Sequence, residues 1–593
     1  MACTTILIGK KASYDGSTII ARNEDSSNGT FDPKRTVVVM PEEQPRHYRS
    51  VLSHVEIELP DNPQRYTAVP NALLDEGIWG EAGFNEAQVA MSATETITTN
   101  ERVLGADPLV TLVPAKGKPG EEGYEPEVPG GIGEEDFLTI VLPYVNSARE
   151  GVKRLGELLE TYGTYEMNGT AFSDADEIWW IESVGGHHWI ARRVPDEAYV
   201  TMPNQLGIDD FDLDDAMGAQ RDFMCSADLR EWMAANHLDL TLSDADLGLA
   251  GSDEGAVCAD GVHTRFNPRE AFGSHTGRDH VYNTCRAWMM QRTLNPCDAW
   301  DGPDAEWGPE SDDIPWCRVP ERKLTIEDVK DVLSSHYDGT PFDPYGNLGT
   351  DADRRRYRSI GINRNNHLAV LQLRPYAPAA TRCVQWMAYG SNAFNTLAPF
   401  FAQVGDMPAY LRDTTGHVTT ENFYWANRII AAIADAHFND NVNTIDNYRE
   451  RTMAFGQRVL RETDARVAAL AEAGADAAEV EGVLEEANQR VADELRDETD
   501  KLLDKVLYTS SMLMKNSFSL SDHEERQLPG RARREVAPED SKRRGARHLR
   551  GERLLFCGGA RSGRRGAPKP GCAPKPTSCK VLPPKRGPKL YKR

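Results

Sequence analysis

The chain of 593 residues lacks the features that mark several large classes of protein. No apolar run approaches the roughly 20 residues that a helix needs to cross a bilayer. No Cys-x-x-Cys pair, His-Glu-x-x-His helix or Gly-rich loop ending in Lys-Ser or Lys-Thr occurs, so metal and nucleotide sites have little support. Ten cysteines are too few for a disulfide scaffold in a chain of this length. Most of them are expected to be reduced and buried.

The start of the chain also lacks a secretory signal. Its apolar run, Ile6-Leu7-Ile8, is too short, and Lys10 and Lys11 follow that run instead of preceding it. A cytoplasmic location is therefore expected. The length of the chain exceeds the size at which a single core stops growing, so more than one structural unit is expected as well.

The two parts of the chain carry net charges of opposite sign. Residues 1–517 carry 46 Lys and Arg against 85 Asp and Glu, whereas residues 518–593 carry 21 against 7. The overall net charge of −25 hides this division. An acidic body repels nucleic acid and anionic membranes, so neither is expected as a partner.

The basic segment 518–593 has three interpretations. Its residues from 527 onward are mostly Arg, Gly, Pro, Ala and Lys, with almost no periodicity, which is typical of a disordered tail. The same composition suits an arm that binds nucleic acid or another polyanion. It is also what a GC-rich gene yields when read out of frame. The abrupt end of a well-patterned helix near Asn516 favours an artefact or a functionless tail over a binding arm.

The rest of the chain alternates between strand and helix patterns. β-Branched residues on both sides of Asp15-Gly16 predict a β-hairpin. Composition predicts an exposed loop rich in Pro, Gly and acids at 106–135. Further strands are predicted at 35–40, 88–92, 178–182, 188–192 and 368–373, and helices at 137–162, at 326–335 behind a Thr325 cap, and throughout 421–514, with long amphipathic helices at 466–507. Strands first and helices last indicate an α+β body with a helical C-terminal part.

Cys3 is the candidate for chemistry. If Met1 and Ala2 were removed, its α-amino group, with a pKa of roughly 7.7–8.0, could accept the thiol proton. The hairpin brings back Arg22, whose charge would favour the thiolate, and Asp25, whose carboxylate would orient the amine. The alternative is that Cys3 is a small buried strand residue and that the other two form a surface ion pair.

The register of the hairpin decides how close these groups come. A two-residue loop places Asp25 opposite Ile6, roughly 10 Å along the strand from Cys3. A wider loop centred on Ser13 places Asn23 opposite Cys3. The residues alone leave both registers open.

Seven short motifs add a resemblance that covers residues 3–517. They are CTTIL (3–7), DGSTIIARNED (15–25), NERVLGADP (100–108), GEED (133–136), DEIWW (176–180), GHHW (186–189) and YNT (282–284). Together and in this order they closely resemble the dipeptidase A family of bacterial cysteine dipeptidases, peptidase family C69, in the N-terminal-nucleophile hydrolase superfamily.

The resemblance implies roles for individual residues. Cys3 would be the nucleophile, with Arg22 and Asp25 as the Arg-x-x-Asp pair that related acylases place against the thiol and the amine. Asn204 would be an oxyanion donor, and Arg286 a further active-site arginine.

Three other residues stand apart from these. Glu95 occupies a position where those relatives have asparagine, so a carboxylate there could bind the ammonium group of a peptide. His187 and His188 suggest a metal site or a Cys-His dyad, but adjacent strand residues point to opposite faces. Structural or substrate-lining roles are therefore favoured for both, and no metal site is predicted.

The resemblance also implies the architecture and the reaction. The fold would be α+β, with a four-layer αββα sandwich at 3–417, a helical C-terminal part at 418–517 and the basic tail at 518–593. The enzyme would hydrolyse short peptides, such as dipeptides with a free N-terminus, through a thioester after autoprocessing, with no cofactor. An amidase acting on acylated small molecules such as bile salts or penicillin V, and a non-proteolytic secernin-like protein, are the alternatives. A homo-oligomer is left open.

Overall fold

A computed structural model describes residues 2–27, 30–243, 246–248 and 258–517, with the backbone alone at Ala2, Thr94 and Glu95. Within these ranges the protein mixes helix and sheet, which confirms the α+β class. The predicted basic tail, 518–593, lies outside the described residues.

The strands come mainly from the first half of the chain. In chain order they are β1 (Ala2–Ile8), β2 (Thr18–Asp25), β3 (Val37–Val39), β4 (His47–Arg49), β5 (Glu56–Glu58), β6 (Tyr66–Ala68), β7 (Ala82–Phe84), β8 (Ala90–Thr96), β9 (Asn168–Ser173), β10 (Ile178–Ser183), β11 (Trp189–Arg193), β12 (Tyr199–Met202), β13 (Phe211–Asp212), β14 (Phe223–Cys225), β15 (Arg265–Phe266), β16 (Cys317–Arg318), β17 (Asn365–Leu373), β18 (Cys383–Tyr389) and β19 (Ala398–Phe401).

Two antiparallel sheets contain most of these strands. The larger has seven strands in the order β16-β12-β1-β2-β17-β18-β19, and the smaller has six in the order β14-β11-β10-β9-β8-β7. Strands β1 and β2 contact β8, and β2 also contacts β9, so the two sheets pack against each other. The side chains of β1 and β2 therefore lie in the interior.

The pairing of β1 with β2 confirms the predicted hairpin, but neither predicted register occurs. Cys3 lies opposite Glu24, and Asp25 lies opposite Ala2. The connection between the strands spans 9–17, so the two-residue loop is wrong. A wider loop centred on Ser13 is present, but the register differs by one residue from the predicted pairing of Asn23 with Cys3.

The long connection follows from contacts with distant segments. The backbone N–H groups of Lys11 and Ala12 donate to the carbonyl oxygen of Asp196, at 2.7 and 3.1 Å. Ser13 forms a bridge with Leu324. Because these contacts hold the connection against other parts of the fold, the local turn signal did not set the register.

Most of the helices lie between strands in the chain, and the last four follow the final strand. In chain order they are α1 (Glu101–Ala106), α2 (Glu134–Val141), α3 (Ala148–Tyr162), α4 (Leu213–Met217), α5 (Leu229–Asn236), α6 (Pro268–Phe272), α7 (Gly277–Asp279), α8 (Cys285–Leu294), α9 (Ile326–Ser334), α10 (Ala409–Arg412), α11 (Phe423–Ala434), α12 (Phe438–Ala473) and α13 (Ala477–Met512). None of the helices in the described ranges is long and apolar enough to cross a membrane.

Helix contacts differ between the two sheets. Helix α2 contacts β8, and α3 contacts β9, β10 and β11 of the six-stranded sheet. Helix α9 contacts β1 and β2, α11 contacts β18, and α12 and α13 contact β19 of the seven-stranded sheet. Trp179 lies in the core with α2 and α3, and Trp180 lies in the other core, which confirms that both belong to the interior.

One helix prediction required adjustment and two did not. The segment 137–162 forms two helices because a turn containing Pro143 separates α2 from α3, which begins after the N-cap Ser147. Thr325 caps α9 as predicted, its side chain accepting the Asp328 N–H. The long C-terminal helices form an antiparallel pair that turns at Gly474, whose φ of 76° ends α12 in the left-handed conformation.

Candidate active site

The charged residues of β2 have no access to water. Strand β2 is buried along all eight residues, although its second half is Arg22-Asn23-Glu24-Asp25. Buried charges are strongly unfavourable unless they are paired, so each of these side chains must find partners inside the protein. Cys3 lies beside them in β1 and is itself buried.

Cys3 is held through its backbone by two side chains. Its N–H donates to Asn204 Oδ1 at 3.1 Å, and Arg286 donates to its carbonyl oxygen. Arg286 also donates to Asn204 Oδ1 at 2.8 Å. The structure thus brings three of the predicted residues into one hydrogen-bonded group, which comes from strand β1, the segment after β12 and helix α8.

Asn204 lies two residues after the end of β12. Its Nδ2 group donates to the carbonyl oxygen of Thr96 at 2.8 Å, at the end of β8. The side chain thereby links the seven-stranded sheet, through Cys3, to the six-stranded sheet, through Thr96.

Arg286 is fully buried near the start of α8. Its Nε donates to the carbonyl oxygen of Tyr282 at 2.8 Å, and its terminal nitrogens donate to Asn283 Oδ1 and Thr4 Oγ1, at 2.8 and 2.7 Å. Tyr282 and Asn283 belong to a π-helical turn, His280–Thr284, directly before α8. Such turns place side chains differently from a regular α-helix and are frequent at functional sites.

Arg22 and Asp25 lie on opposite faces of β2 because they are three residues apart. Arg22 shares a face with Cys3, and it forms ion pairs with Glu81 and, at 3.5 Å, with Glu134. The alternative of a surface ion pair between Arg22 and Asp25 is wrong, since both side chains are buried and point to different faces.

Asp25 has two donors on its own face. Arg358 and the Nδ2 group of Asn365 both donate to its carboxylate, and Arg358 also stacks 5.0 Å from the centre of the Tyr282 ring. Opposite charge raises the pKa of Arg358 against the effect of burial. Arg358 was not a candidate in the sequence, and no local motif marks it, because the arginine comes from a loop 333 residues away.

A second buried cation stands on the Cys3 face. Lys34 Nζ lies 3.0 Å from Glu24 and 3.5 Å from Glu81, and His367 Nδ1 lies 2.7 Å from Glu24. Burial alone would raise the pKa of Glu24, but Lys34 and His367 lower it to about 2. Sequence analysis missed Lys34, Glu81 and His367, which are distant from one another in the chain. Arg22 joins the same network through Glu81.

Glu81 itself has an unusual backbone. Its φ is 65°, in the left-handed region that is uncommon for residues other than glycine. This conformation costs on the order of 1–3 kcal/mol, and it persists at the position whose carboxylate contacts both Arg22 and Lys34.

A cavity of about 500 Å³ lies next to Asn204. Hydroxyl, amide and carboxylate groups dominate its wall, together with one arginine. The residues that line it are Thr96, Thr98, Thr99, Glu101, Glu166, Asn204, Ser274, Thr276, Arg278, Asp279, Tyr282 and Asn283. A cavity of this size and polarity suits a small substrate that carries charge.

Only the backbone of Glu95 is described. Its backbone lies in β8 opposite Gly169, one residue before Thr96, which lines the cavity. Its side chain lies outside the described residues, so ammonium binding by Glu95 stays a prediction.

His187 and His188 bind one carboxylate together. Their Nδ1 atoms lie 3.0 and 2.8 Å from the two oxygens of Asp107, and both of their backbone N–H groups donate to Asp107. The His188 ring stacks on Trp232 at 4.0 Å. The expectation that the two rings point to opposite faces is wrong, because both residues precede the first residue of β11.

Among the residues that the structure describes, no group of three or more His, Cys, Asp or Glu side chains is arranged to hold a metal ion.

The site combines a buried thiol, amide and guanidinium groups hydrogen-bonded around it, and a cavity lined by polar side chains beside it. The sequence model of Peptidase family C69 matches residues 2–451, and the chain belongs to this family.

Relatives of the chain agree with this assignment. It is 62% identical over 556 residues to a protein named dipeptidase from Bifidobacterium longum, a match that covers 88% of this chain and all of that protein. It is 53% identical over 522 residues to a protein named probable dipeptidase A from Streptococcus pyogenes serotype M3, with the same coverage of each.

Proposed function

We propose that the protein is a cysteine dipeptidase whose nucleophile is the thiol of Cys3. The observation that carries this proposal is the hydrogen-bonded group of Cys3, Asn204 and Arg286 at the edge of a polar cavity. Family membership and the names of the relatives support a peptide hydrolase that acts on dipeptides.

In the proposed reaction, the α-amino group of an N-terminal Cys3 accepts the thiol proton. The thiolate attacks the peptide carbonyl carbon, and the oxyanion that forms accepts a hydrogen bond from the side-chain amide of Asn204. The ammonium group then protonates the departing amine, and a thioester remains. Water, deprotonated by the same amine, attacks the thioester, and the acid product and the thiol are released.

The buried cations around Cys3 support a thiolate. Arg22 lies on the same face of the hairpin, and Arg286 contacts the Cys3 carbonyl oxygen. Positive charge near a thiol favours its ionised form. Asp25, held by Arg358 and opposite Ala2 in the register, has the position from which a carboxylate could orient the amine of the next residue.

The proposal includes the architecture. The helices α2 and α3, the six-stranded sheet, the seven-stranded sheet and the helices α9 and α11 would be the four layers of an αββα sandwich, and their contacts in this order support it. The division into a catalytic body at 3–417 and a helical part at 418–517 belongs to the same proposal, as do a cytoplasmic location and the homo-oligomer.

Hydrolysis of dipeptides by variants of the buried Cys3 and of the exposed Cys297 tests the proposal. Cys3→Ala should fold, because one small residue replaces another, and should lose turnover by at least about 10³-fold. Cys297→Ala, the same change at an exposed thiol, should keep full turnover. Full activity of folded Cys3→Ala would refute the mechanism.

The same assay separates the alternatives. Cleavage of bile-salt or penicillin V amides without cleavage of dipeptides would favour the amidase. Absence of any hydrolysis, with Met1 or Ala2 still attached, would favour a secernin-like protein.

A further inference from the structure

Three carboxylates and one cation line the cavity beside Asn204. The carboxylates belong to Glu101, Glu166 and Asp279, and the cation belongs to Arg278. The charged wall is therefore negative by two. A substrate group that carries positive charge is favoured in such a cavity over a neutral or negative one.

The carboxylate of Asp279 is already hydrogen-bonded to neighbouring residues of the chain. Its Oδ2 accepts hydrogen bonds from the Ser274 hydroxyl and from the N–H and hydroxyl of Thr276, at 2.7–3.0 Å, and its Oδ1 accepts one from Asn283 at 2.9 Å. This carboxylate caps α7. It has little capacity left for a ligand.

Glu101 is exposed at the first position of α1. Water and salt screen an exposed carboxylate, and ion pairs at such positions contribute about 0–1 kcal/mol. Glu101 therefore gives the cavity little selectivity.

Glu166 differs from both. It is half-buried two residues before β9, where the neighbouring Met167 carbonyl accepts the Ile97 N–H at 3.0 Å and so fixes the backbone. Its Oε1 accepts the N–H of Glu134 at 3.2 Å. Within the described part of the chain, no Lys, Arg or His forms an ion pair with Glu166. Burial raises the pKa of this carboxyl, and the positive charge of the chain's amino terminus opposes part of that rise.

Glu166 is also linked to the reactive end of the cavity. The residue whose N–H it accepts, Glu134, forms an ion pair with Arg22, which shares a sheet face with Cys3. On the other side, the cavity reaches Asn204, which accepts the Cys3 N–H. The carboxylate thus lies in the wall of the space that a short peptide would occupy next to the thiol.

We propose that Glu166 binds the α-ammonium group of the substrate and thereby restricts the enzyme to peptides with an unmodified N-terminus. This inference rests on the proposed dipeptidase function. The ammonium group of a substrate would pair with this carboxylate, whereas an N-acylated peptide has no positive charge there to pair with it. Discrimination of this kind comes from a buried polar group that only one substrate satisfies.

The test compares alanyl-alanine with N-acetyl-alanyl-alanine, following the release of alanine. We expect wild-type kcat/KM to favour the unmodified dipeptide, and Glu166→Gln to lower that ratio by about 10- to 100-fold, the range for one charge-assisted hydrogen bond. Glutamine retains an oxygen that can accept the Glu134 N–H. Glu101→Gln, the same chemical change in the same cavity, should alter the ratio by less than about threefold.

Each outcome has a distinct meaning. An unchanged ratio in folded Glu166→Gln overturns the inference while leaving the dipeptidase function intact. A ratio that falls in Glu95→Gln but not in Glu166→Gln overturns it too, because Glu95 would then bind the ammonium group. If Glu166→Gln does not fold, Glu166→Asp takes its place, because aspartate keeps the negative charge but its shorter side chain moves the carboxylate away from the cavity. An unchanged ratio of kcat/KM values in Glu166→Asp overturns the inference as well. A wild-type enzyme that cleaves neither peptide removes the proposed function itself.

Discussion

Arg22 is surrounded by carboxylates rather than exposed to solvent. It contacts Glu81 and Glu134, and all three side chains are buried. In this setting the single positive charge of the guanidinium is shared between two carboxylates on the face of the sheet that carries Cys3. Removal of one member of a buried ion pair leaves the other members uncompensated.

Arg22→Ala should therefore lower the free energy of unfolding by about 3–5 kcal/mol. Urea denaturation measures this change. Arg458→Ala is the matched control, because Arg458 makes an exposed pair with Glu462 on α12 at 3.9 Å, and it should cost less than about 0.5 kcal/mol. Equal and small effects of the two substitutions would show that the buried network is not needed for stability.

The segment that carries Asn204 depends on a buried acid. Glu182, in β10, accepts hydrogen bonds from the Gly207 and Ile208 N–H groups and the Trp180 indole, at 2.8, 3.3 and 3.0 Å. Burial raises its pKa to about 7. An acid with a raised pKa stabilises the fold in its protonated form, so its contribution is complete below the unfolded pKa near 4.5 and is lost as the pH rises towards 7.

We therefore expect the free energy of unfolding to contain a component from Glu182 that falls by about 3 kcal/mol between pH 4.5 and 7. Glu182→Gln should remove that component, because glutamine stays neutral and still offers an oxygen to the two N–H groups. Urea titrations at pH 5 and pH 8 measure it. Glu122→Gln, at an exposed loop position, should keep the wild-type difference, and the same pH dependence in both variants would contradict the assignment to Glu182.

The comparison of sequence and structure is clearest at the level of elements. Local patterns sufficed for β1 and β2, for the Thr325 cap of α9 and for the long C-terminal helices. The register of the hairpin was not predictable, because residues 9–17 bind Asp196 and Leu324, which lie far away in the chain. The same limit applies to the two histidines, whose common partner, Asp107, lies 80 residues away.

The candidate site also contains both residues that the sequence predicted and residues that it did not. The resemblance named Cys3, Asn204 and Arg286, and the structure places these three in contact. It did not suggest Arg358 or Glu166, since neither belongs to a motif and each becomes significant only through its position in the fold. Partners of buried charges are set by tertiary structure, and a single sequence offers no local signal for them.

At the scale of the whole molecule, the match to relatives is confined to part of the chain. All of the Bifidobacterium longum dipeptidase is covered by 88% of this chain. Residues 527–593 lack the apolar periodicity that a core requires. Deletion of 527–593 should therefore change kcat/KM by less than about twofold and the melting temperature by less than about 2 °C. Dipeptide turnover and calorimetry of the full-length and the shortened protein measure these two quantities. A large fall in Tm would show that the segment packs on the rest of the protein.

The central claim is that Cys3 acts through its own α-amino group. Cys3 is preceded by Met1 and Ala2, and an amide nitrogen cannot serve as a base. We expect the Cys3 thiolate to attack the Ala2 carbonyl, so that a thioester forms and its hydrolysis releases the preceding residues. Cys3→Ala should then retain Ala2 completely.

Intact-mass spectrometry of the active protein, with dipeptide turnover measured on the same sample, tests this claim most directly. The account predicts a mature chain that begins at Cys3, with activity proportional to its fraction in the sample. A fully active enzyme that still begins with Ala2 would contradict it.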